Sequence, residues 1–335
     1  MTVTRRKLGL SGPEVSSIGL GAMGMSDLYG PADDAESIAT LHTAIDAGVN
    51  LIDTGDFYGS GANEMLIARA LRERRREDVV LSVKFGSRRA PDGSFQPVPY
   101  DVSPEAVKDR LAYSLRRLET DYIDIYRPAR LNPQIPVEET VGALEEMRQA
   151  GYIRHIGLSE VGADTIRRAA AVAPISDLQI EYSLLSRGPE ESIIPTLREH
   201  GIGLTAYGVL SRGLLSGHWS SSRELAGNDF RAHSPRFQGE NLEANLRLVQ
   251  ALDRVAERLG ATTSQVAIAW VAAQGEDIVP LVGARRRERL AESLGSAALR
   301  LDAETLAEIE KAVPAGAAAG ERYAAAQMAT LDSER

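Results

Sequence analysis

The sequence predicts a (β/α)8 barrel with an N-terminal β-hairpin cap, and three observations carry that prediction. Eight short apolar runs, several rich in Ile and Val, alternate with helical patterns between Ile18 and Val282. No linker, composition break or repeat of solenoid length divides the chain. The 335 residues, 43% hydrophobic and 25% charged, suit a barrel of about 250 residues with insertions. Strands alternating with helices call for a parallel sheet covered by helices, which an open doubly wound sheet would also satisfy; eight strands favour closure. One barrel domain is expected over residues 1–335, with an Ala- and Gly-rich, loosely ordered tail from about 315 to 335.

The elements follow in order. Lys7–Leu8 and Glu14–Val15 read as a hairpin turned by Ser11-Gly12-Pro13. The predicted barrel strands are Ile18–Gly21, Val49–Asp53, Val79–Phe85, Tyr122–Tyr126, His155–Ser159, Asp177–Glu181, Gly203–Tyr207 and Ile278–Val282. Between them, Ser103 is a candidate N-cap with Pro104 at the first helical position, and Val107, Leu111, Leu115 and Leu118 form one apolar stripe. A second helix spans Glu138–Ala150, with Gly151 as its stop. Asp302 caps a third, with Leu301 and Leu306 placed for a hydrophobic staple. Two long connections, Gly86–Val102 and Gly208 to about Gly239, follow strands and so belong at the C-terminal face, where barrels build their sites.

Composition narrows the function. With 38 basic against 47 acidic residues the formal charge is −9, which disfavours nucleic acid and anionic membrane as partners. There is no cysteine, hence no disulfide, thiolate nucleophile or thiolate metal site. Arg5-Arg6 lacks the apolar run of a twin-arginine signal, and the uncharged stretch Leu259–Gly275 is too short and polar to span a bilayer, so a soluble, cytoplasmic protein is expected. No metal is expected, since neither H-E-x-x-H nor clustered His occurs, and no G-x-S-x-G marks a hydrolase.

Gly19-Leu20-Gly21-Ala22-Met23-Gly24 matches the dinucleotide fingerprint G-x-G-x-x-G, but the true motif opens directly into a helix, and helical periodicity here waits until about Ala35. More informative is Leu51-Ile52-Asp53-Thr54-Gly55-Asp56-Phe57-Tyr58-Gly59: a strand ends at an acid, and a Tyr follows in a Gly-bounded loop. The next strand ends in Val83-Lys84-Phe85, which puts an ammonium in the interior. Asp53 and Lys84 form a buried ion pair on either of two readings, structural with Tyr58 a loop aromatic, or catalytic.

Asp53, Tyr58 and Lys84 resemble the catalytic set of the aldo-keto reductase superfamily. The resemblance extends through Gly19–Ser26, Arg154-His155-Ile156-Gly157-Leu158-Ser159-Glu160, Leu178–Ser183 and Val282–Leu290, and runs from about Arg6 to Lys311. It implies NADPH-dependent reduction of an aldehyde or ketone by hydride transfer. Tyr58 is then the general acid, Lys84 favours its ionised form and lowers its pKa, and Asp53 holds Lys84 charged.

The resemblance also implies a His at a position that Ala129 occupies here. Arg127, two residues earlier on the same predicted strand, shares a face with Ala129; it either supplies the missing donor or pairs with a carboxylate, and Arg130 points the other way. For the cofactor, Ser159 and Gln179 match the carboxamide-binding pair, Tyr207 the aromatic under the nicotinamide, and Leu210 and Gly213 the pyrophosphate loop. Gly283 lies in the block whose Arg285 and Arg289 match the grip on the 2′-phosphate, with Glu292 and Ser293 at the adenine. An alternative within the superfamily is an NADPH-binding regulatory or sensor barrel with little turnover, and Ala129 is the feature that favours it. A third, an unrelated barrel for a phosphorylated metabolite, requires every matched block to be accidental.

Overall fold

The computed structural model describes residues 3–26, 29–220, 225 and 229–335, with residues 95–99 described by their backbone alone. Strands β1 (Arg5–Lys7) and β2 (Glu14–Ser16) pair antiparallel as the expected hairpin, Arg6 opposite Val15. The remaining strands are β3 (Gly19–Gly21), β4 (Leu51–Gly55), β5 (Val80–Phe85), β6 (Ser87–Arg89), β7 (Phe95–Tyr100), β8 (Ile123–Pro128), β9 (Ile153–Ser159), β10 (Ile175–Glu181), β11 (Gly203–Tyr207) and β12 (Ile278–Gly283). Eight of these close a parallel barrel in the order β3-β4-β5-β8-β9-β10-β11-β12 and back to β3. All eight predicted barrel strands are present, with ends shifted by up to two residues. Among the described residues β3 runs into a short turn at Met23–Met25 rather than directly into a helix, and α1 begins at Asp34.

The helices are α1 (Asp34–Asp46), α2 (Ala62–Leu71), α3 (Pro104–Leu118), α4 (Val137–Gln149), α5 (Ala163–Ala170), α6 (Ile193–Glu199), α7 (Gly239–Arg258), α8 (Thr263–Ala273), α9 (Arg287–Leu294), α10 (Ala303–Ala312) and α11 (Ala325–Met328). Local chemistry accounts for their ends. Ser103 Oγ accepts from the Ala106 amide at 3.2 Å ahead of Pro104, and Asp302 Oδ1 accepts from Thr305 at 2.8 Å. Gly151, just beyond α4, takes φ 86°. Val107, Leu111 and Leu118 of α3 are buried and Leu115 packs half-buried beside them, as the stripe requires. Among the described residues no helix is long and apolar enough to cross a membrane, and no group of His, Cys, Asp and Glu is placed to hold a metal ion.

The barrel interior changes character along its axis. At the end nearest the hairpin, Leu8 and Val15 pack with Leu51, Val80, Ile125 and Val279 in a separate apolar cluster. Gly9, at φ 68°, allows this plug to approach, for an added Cβ would lie 2.5 Å from the Ser176 carbonyl oxygen. Toward the C-terminal ends of the strands the lining becomes polar and buried: Asp53, Ser82, Asp177 and Thr205, then Lys84, Ser159 and Gln179.

Two features differ from expectation. The connection after β5 is an antiparallel hairpin, β6 with β7, which short strands of mixed polarity did not signal. Residues 315–335, expected to be loosely ordered, fold back across the barrel's polar end: Arg322 and Leu331 are buried, and Asn245 Nδ2 donates to the Ala319 carbonyl at 2.9 Å. A tail poor in large apolar groups is held there by polar contacts to distant residues. Composition does not report such contacts.

Candidate active site

Asp53 and Lys84 come from the mouth-facing ends of neighbouring strands β4 and β5, and both are buried. Lys84 Nζ donates to Asp53 Oδ1, while Asp53 Oδ2 accepts from Ser82 Oγ at 2.8 Å and Gln179 Nε2 at 2.7 Å. Three donors therefore hold one carboxylate. Tyr58 opens the turn Tyr58–Gly61 and is 6% exposed, with its ring centroid 5.1 Å from Lys84 Nζ. The turn is tight because Gly59 and Gly61 take left-handed φ, and an added Cβ at Gly61 would meet Arg117 Cδ at 2.8 Å.

The electrostatics correct one expectation. Burial pushes the Tyr58 phenol well above the ordinary tyrosine value, and the negative charge of Asp53 adds to that push; Arg130 opposes it, while Tyr29 and Tyr323 raise it further. Lys84 does not dominate, because Asp53 compensates its charge at contact distance. Burial also lowers Lys84 against the pull of Asp53, with Arg127 and Arg130 acting in the same direction as burial. Burial and Asp53 together therefore favour the neutral, protonated phenol at Tyr58.

Arg127 is brought into the barrel but not to the mouth. Its side chain is fully buried and turned down one layer, where Nη1 pairs with Asp177 Oδ2 at 2.8 Å and Nη2 donates to Ser82 Oγ at 3.0 Å. Asp177 Oδ2 also accepts from Thr205 Oγ1 at 2.6 Å. Gly157 leaves the room for this pair: an added Cβ would lie 2.9 Å from Asp177 Oδ1 and 3.0 Å from Arg127 Cζ. The paired reading of Arg127 therefore replaces the donor reading.

Arg130, expected to point away, reaches into the mouth. Nη1 donates to the Ala129 carbonyl at 2.6 Å and approaches Ser159 Oγ at 3.4 Å, while Nη2 lies 3.5 Å from the phenol oxygens of both Tyr207 and Tyr323. Strand alternation misassigned Arg130 because β8 ends at Pro128. Ala129 and Arg130 lie beyond it, where period two no longer orders side chains.

Ser159 and Gln179 are opposite each other on β9 and β10, both buried, and half-buried Tyr207 ends β11. Leu210 and Gly213, the latter at φ 96°, bound the turn after β11. Gly283 ends β12, and an added Cβ there meets nothing within 4 Å. Arg285 Nη1 donates to the carbonyls of Tyr29 at 3.0 Å, Gly30 at 3.3 Å and Pro31 at 3.0 Å, tying the turn before α1 to the start of α9. Arg289 contacts Glu292 at 3.0 Å and also His218, and Glu292 accepts from Ser264 Oγ at 2.9 Å. Burial raises Glu292, but hydrogen bonds from Ser264, His218 and Arg289 bring it below the usual carboxylate value. Ser293 is buried on the same helix.

Other residues at the mouth were missed. Glu160, in the left-handed region at φ 53°, accepts from Tyr207 Oη at 2.6 Å and pairs with Arg322 through contacts of 2.9 and 2.5 Å. Burial raises its pKa, yet the Arg322 hydrogen bonds and charge, with Arg130 and Tyr207, hold it down at about 2. Tyr323 Oη shares a 2.8 Å hydrogen bond with Tyr207 Oη. In the sequence Glu160 is a plain acid after a strand, and nothing local marks its partner 162 residues on.

A closed parallel barrel with a phenol, an ammonium and a carboxylate gathered at its C-terminal mouth defines an oxidoreductase-type barrel. The chain belongs to the aldo/keto reductase family, whose model matches residues 17–314. It is 41% identical over 320 residues to a probable aldo-keto reductase 1 of Glycine max, covering 95% of this chain and 91% of that one. Among solved structures it is similar to the glycerol dehydrogenase AKR11B4 from Gluconobacter oxydans, with TM-score 0.83, 27% identity, and 93% and 95% of the two chains covered. The aldo-keto reductase AKR11C1 from Bacillus halodurans, in its holo form, superposes with TM-score 0.77 and 28% identity over 94% and 97%.

Proposed function

We propose that this family member is an NADPH-dependent oxidoreductase that reduces an aldehyde or ketone to an alcohol, with Tyr58 as general acid. The observation that carries the reading is Tyr58 itself: a buried, protonated phenol held within 5.1 Å of Lys84, whose ammonium is held in turn by Asp53. Ser159 and Gln179 offer a hydroxyl and an amide at paired strand ends, with Arg130 reaching both Ser159 and Tyr207, a donor set that fits a nicotinamide carboxamide. The open space at Gly283, next to Arg285 and Arg289, fits a cofactor's phosphate-bearing end, and the two guanidiniums favour the 2′-phosphorylated form. When bound, the reduced nicotinamide supplies a hydride to the carbonyl carbon. Tyr58 gives its proton to the carbonyl oxygen, and Lys84 holds the phenolate left behind; in the reverse direction Tyr58 is the base. Similarity to a glycerol dehydrogenase is in keeping with an alcohol–carbonyl couple.

Turnover of NADPH against a panel of aldehydes, ketones and quinones tests the proposal. Tyr58→Phe should lower the rate about 10²–10⁴-fold while leaving NADPH binding in place. Full turnover in Tyr58→Phe would remove Tyr58 from its role. A protein that binds NADPH tightly and turns nothing over is instead a sensor barrel, the reading that Ala129 favours because its buried methyl offers no donor.

A further inference from the structure

The reaction proposed above places negative charge on an oxygen beside Tyr58, and the cations there differ in what they can give it. Lys84 is compensated by Asp53. Arg212 faces Glu181 at 3.0 Å, Arg231 faces Asp229 at 2.6 Å, and Arg322 faces Glu160 at 2.5 Å. Arg130 forms no ion pair among the described residues, and Glu160, the acid that acts on it, is already held by Arg322. Four phenols act on Arg130 or feel its charge: Tyr207, Tyr323, Tyr100 and Tyr58. Its two contacts from Nη2 are long, at 3.5 Å each, so this edge of the guanidinium is weakly engaged and exchangeable for a better acceptor.

We propose that Arg130 is a catalytic residue, the positive donor to the substrate oxygen that becomes an alkoxide, acting from the loop after β8 where Ala129 offers nothing. The proposal rests on the reductase reading with Tyr58 as acid. As the hydride adds to the carbonyl carbon, the π pair moves to oxygen, the Tyr58 O–H bond breaks, and its proton goes to that oxygen. The carbonyl is reduced and the nicotinamide oxidised. Arg130 gives up no proton: it donates a charge-assisted hydrogen bond to the oxygen and steadies the phenolate that Tyr58 becomes. Lys84 lies over the Tyr58 ring, and the charges of Asp53, Arg130, Tyr29 and Tyr323 act on its phenol; of the two cations, Arg130 is the one without a carboxylate in contact among the described residues.

The test uses Arg130→Ala and Arg130→Lys with an uncharged aldehyde, with NADPH affinity followed by fluorescence and folding by thermal unfolding. Arg130→Ala should lower kcat about 10²–10³-fold with NADPH affinity kept, and Arg130→Lys should recover part of the loss. Added guanidinium ion should partly rescue the Ala variant. In alcohol oxidation, where Tyr58 must be ionised, losing the cation should move the rising limb of the pH–rate profile to higher pH. A kcat within about threefold of wild type in Arg130→Ala overturns the proposal. So does a defect confined to KM for aldehydes that carry a carboxylate, which makes Arg130 a substrate clamp. Tyr58→Phe run in parallel separates the two claims: normal turnover there fails the general-acid reading, whereas a full-rate Arg130→Ala beside a slow Tyr58→Phe overturns the Arg130 proposal alone.

Discussion

The barrel holds two buried ion pairs one layer apart, bridged by a single hydroxyl, and they end differently. In the lower pair, Arg127–Asp177, both side chains are fully buried, and Asp177 also takes Thr205 and Ser176 while Arg127 takes Ser82. In the upper pair, Lys84–Asp53, the ammonium also faces the Tyr58 ring. Ser82 Oγ donates upward to Asp53 and accepts from Arg127 below. Height along the barrel axis decides the use of each charge. The lower pair is enclosed by its own partners and packing, whereas the upper one borders the mouth beside Tyr58, the phenol that the proposed function uses as acid. Burial alone does not separate a structural pair from a catalytic one.

The largest expected effect separates the pairs by kinetics. Lys84→Met and Arg127→Met each strand a buried carboxylate, and each should cost about 3–5 kcal/mol of stability. Only the first should also lower kcat by about 10²–10⁴-fold, because only Lys84 faces Tyr58. Denaturant unfolding and steady-state rates per folded molecule check this. Equal kinetic losses in the two variants would erase the distinction between the pairs.

A third pair, Glu160–Arg322, asks whether the comparison extends to the tail. Glu160 is held at about 2 in the folded chain against an ordinary value of 4.5. A depressed carboxylate contributes stability that is complete above the unfolded value and is lost as pH falls through the folded one. Here that is about 3 kcal/mol, lost between about pH 5 and pH 2. Arg322→Ala removes the donor, so the fall in melting temperature on acidification over that window should shrink. Melting curves with the same acid dependence in both proteins would place the acid-sensitive groups elsewhere.

What could be read from the sequence follows the same axis. Asp53 and Lys84 lie inside strands, where alternation sends every second side chain inward, and Tyr58 sits in a loop too short to wander. Arg127 also obeyed alternation, but its length let it turn down to Asp177, an acid on a strand 50 residues later. Arg130 lies two residues past the end of β8, where no period applies. The fold of the tail is not legible because its small residues give no apolar pattern, while its anchors, Arg322 to Glu160 and Tyr323 to Tyr207, are polar contacts across more than 100 residues. Periodicity reports which face a residue takes. It does not report where a long polar side chain ends.

The smallest expected effects come from two glycines that sample the two environments. Gly157 lines the lower pair, where a Cβ would fall 2.9 Å from Asp177 Oδ1 and 3.0 Å from Arg127 Cζ. Neither atom has room to retreat, since both are buried in their own contacts, so Gly157→Ala should cost about 1–3 kcal/mol by overpacking. Gly283 ends β12 at the mouth, where a Cβ meets nothing within 4 Å. Gly283→Ala should leave cofactor-free stability within about 0.5 kcal/mol of the parent, as an open surface site does. If the space beside Gly283 receives the cofactor, the same methyl should weaken NADPH binding measurably while melting stays unchanged. Urea unfolding and NADPH titration on both variants read the outcome. A tolerant Gly157 together with a destabilised Gly283 would reverse the packing assigned to the two layers.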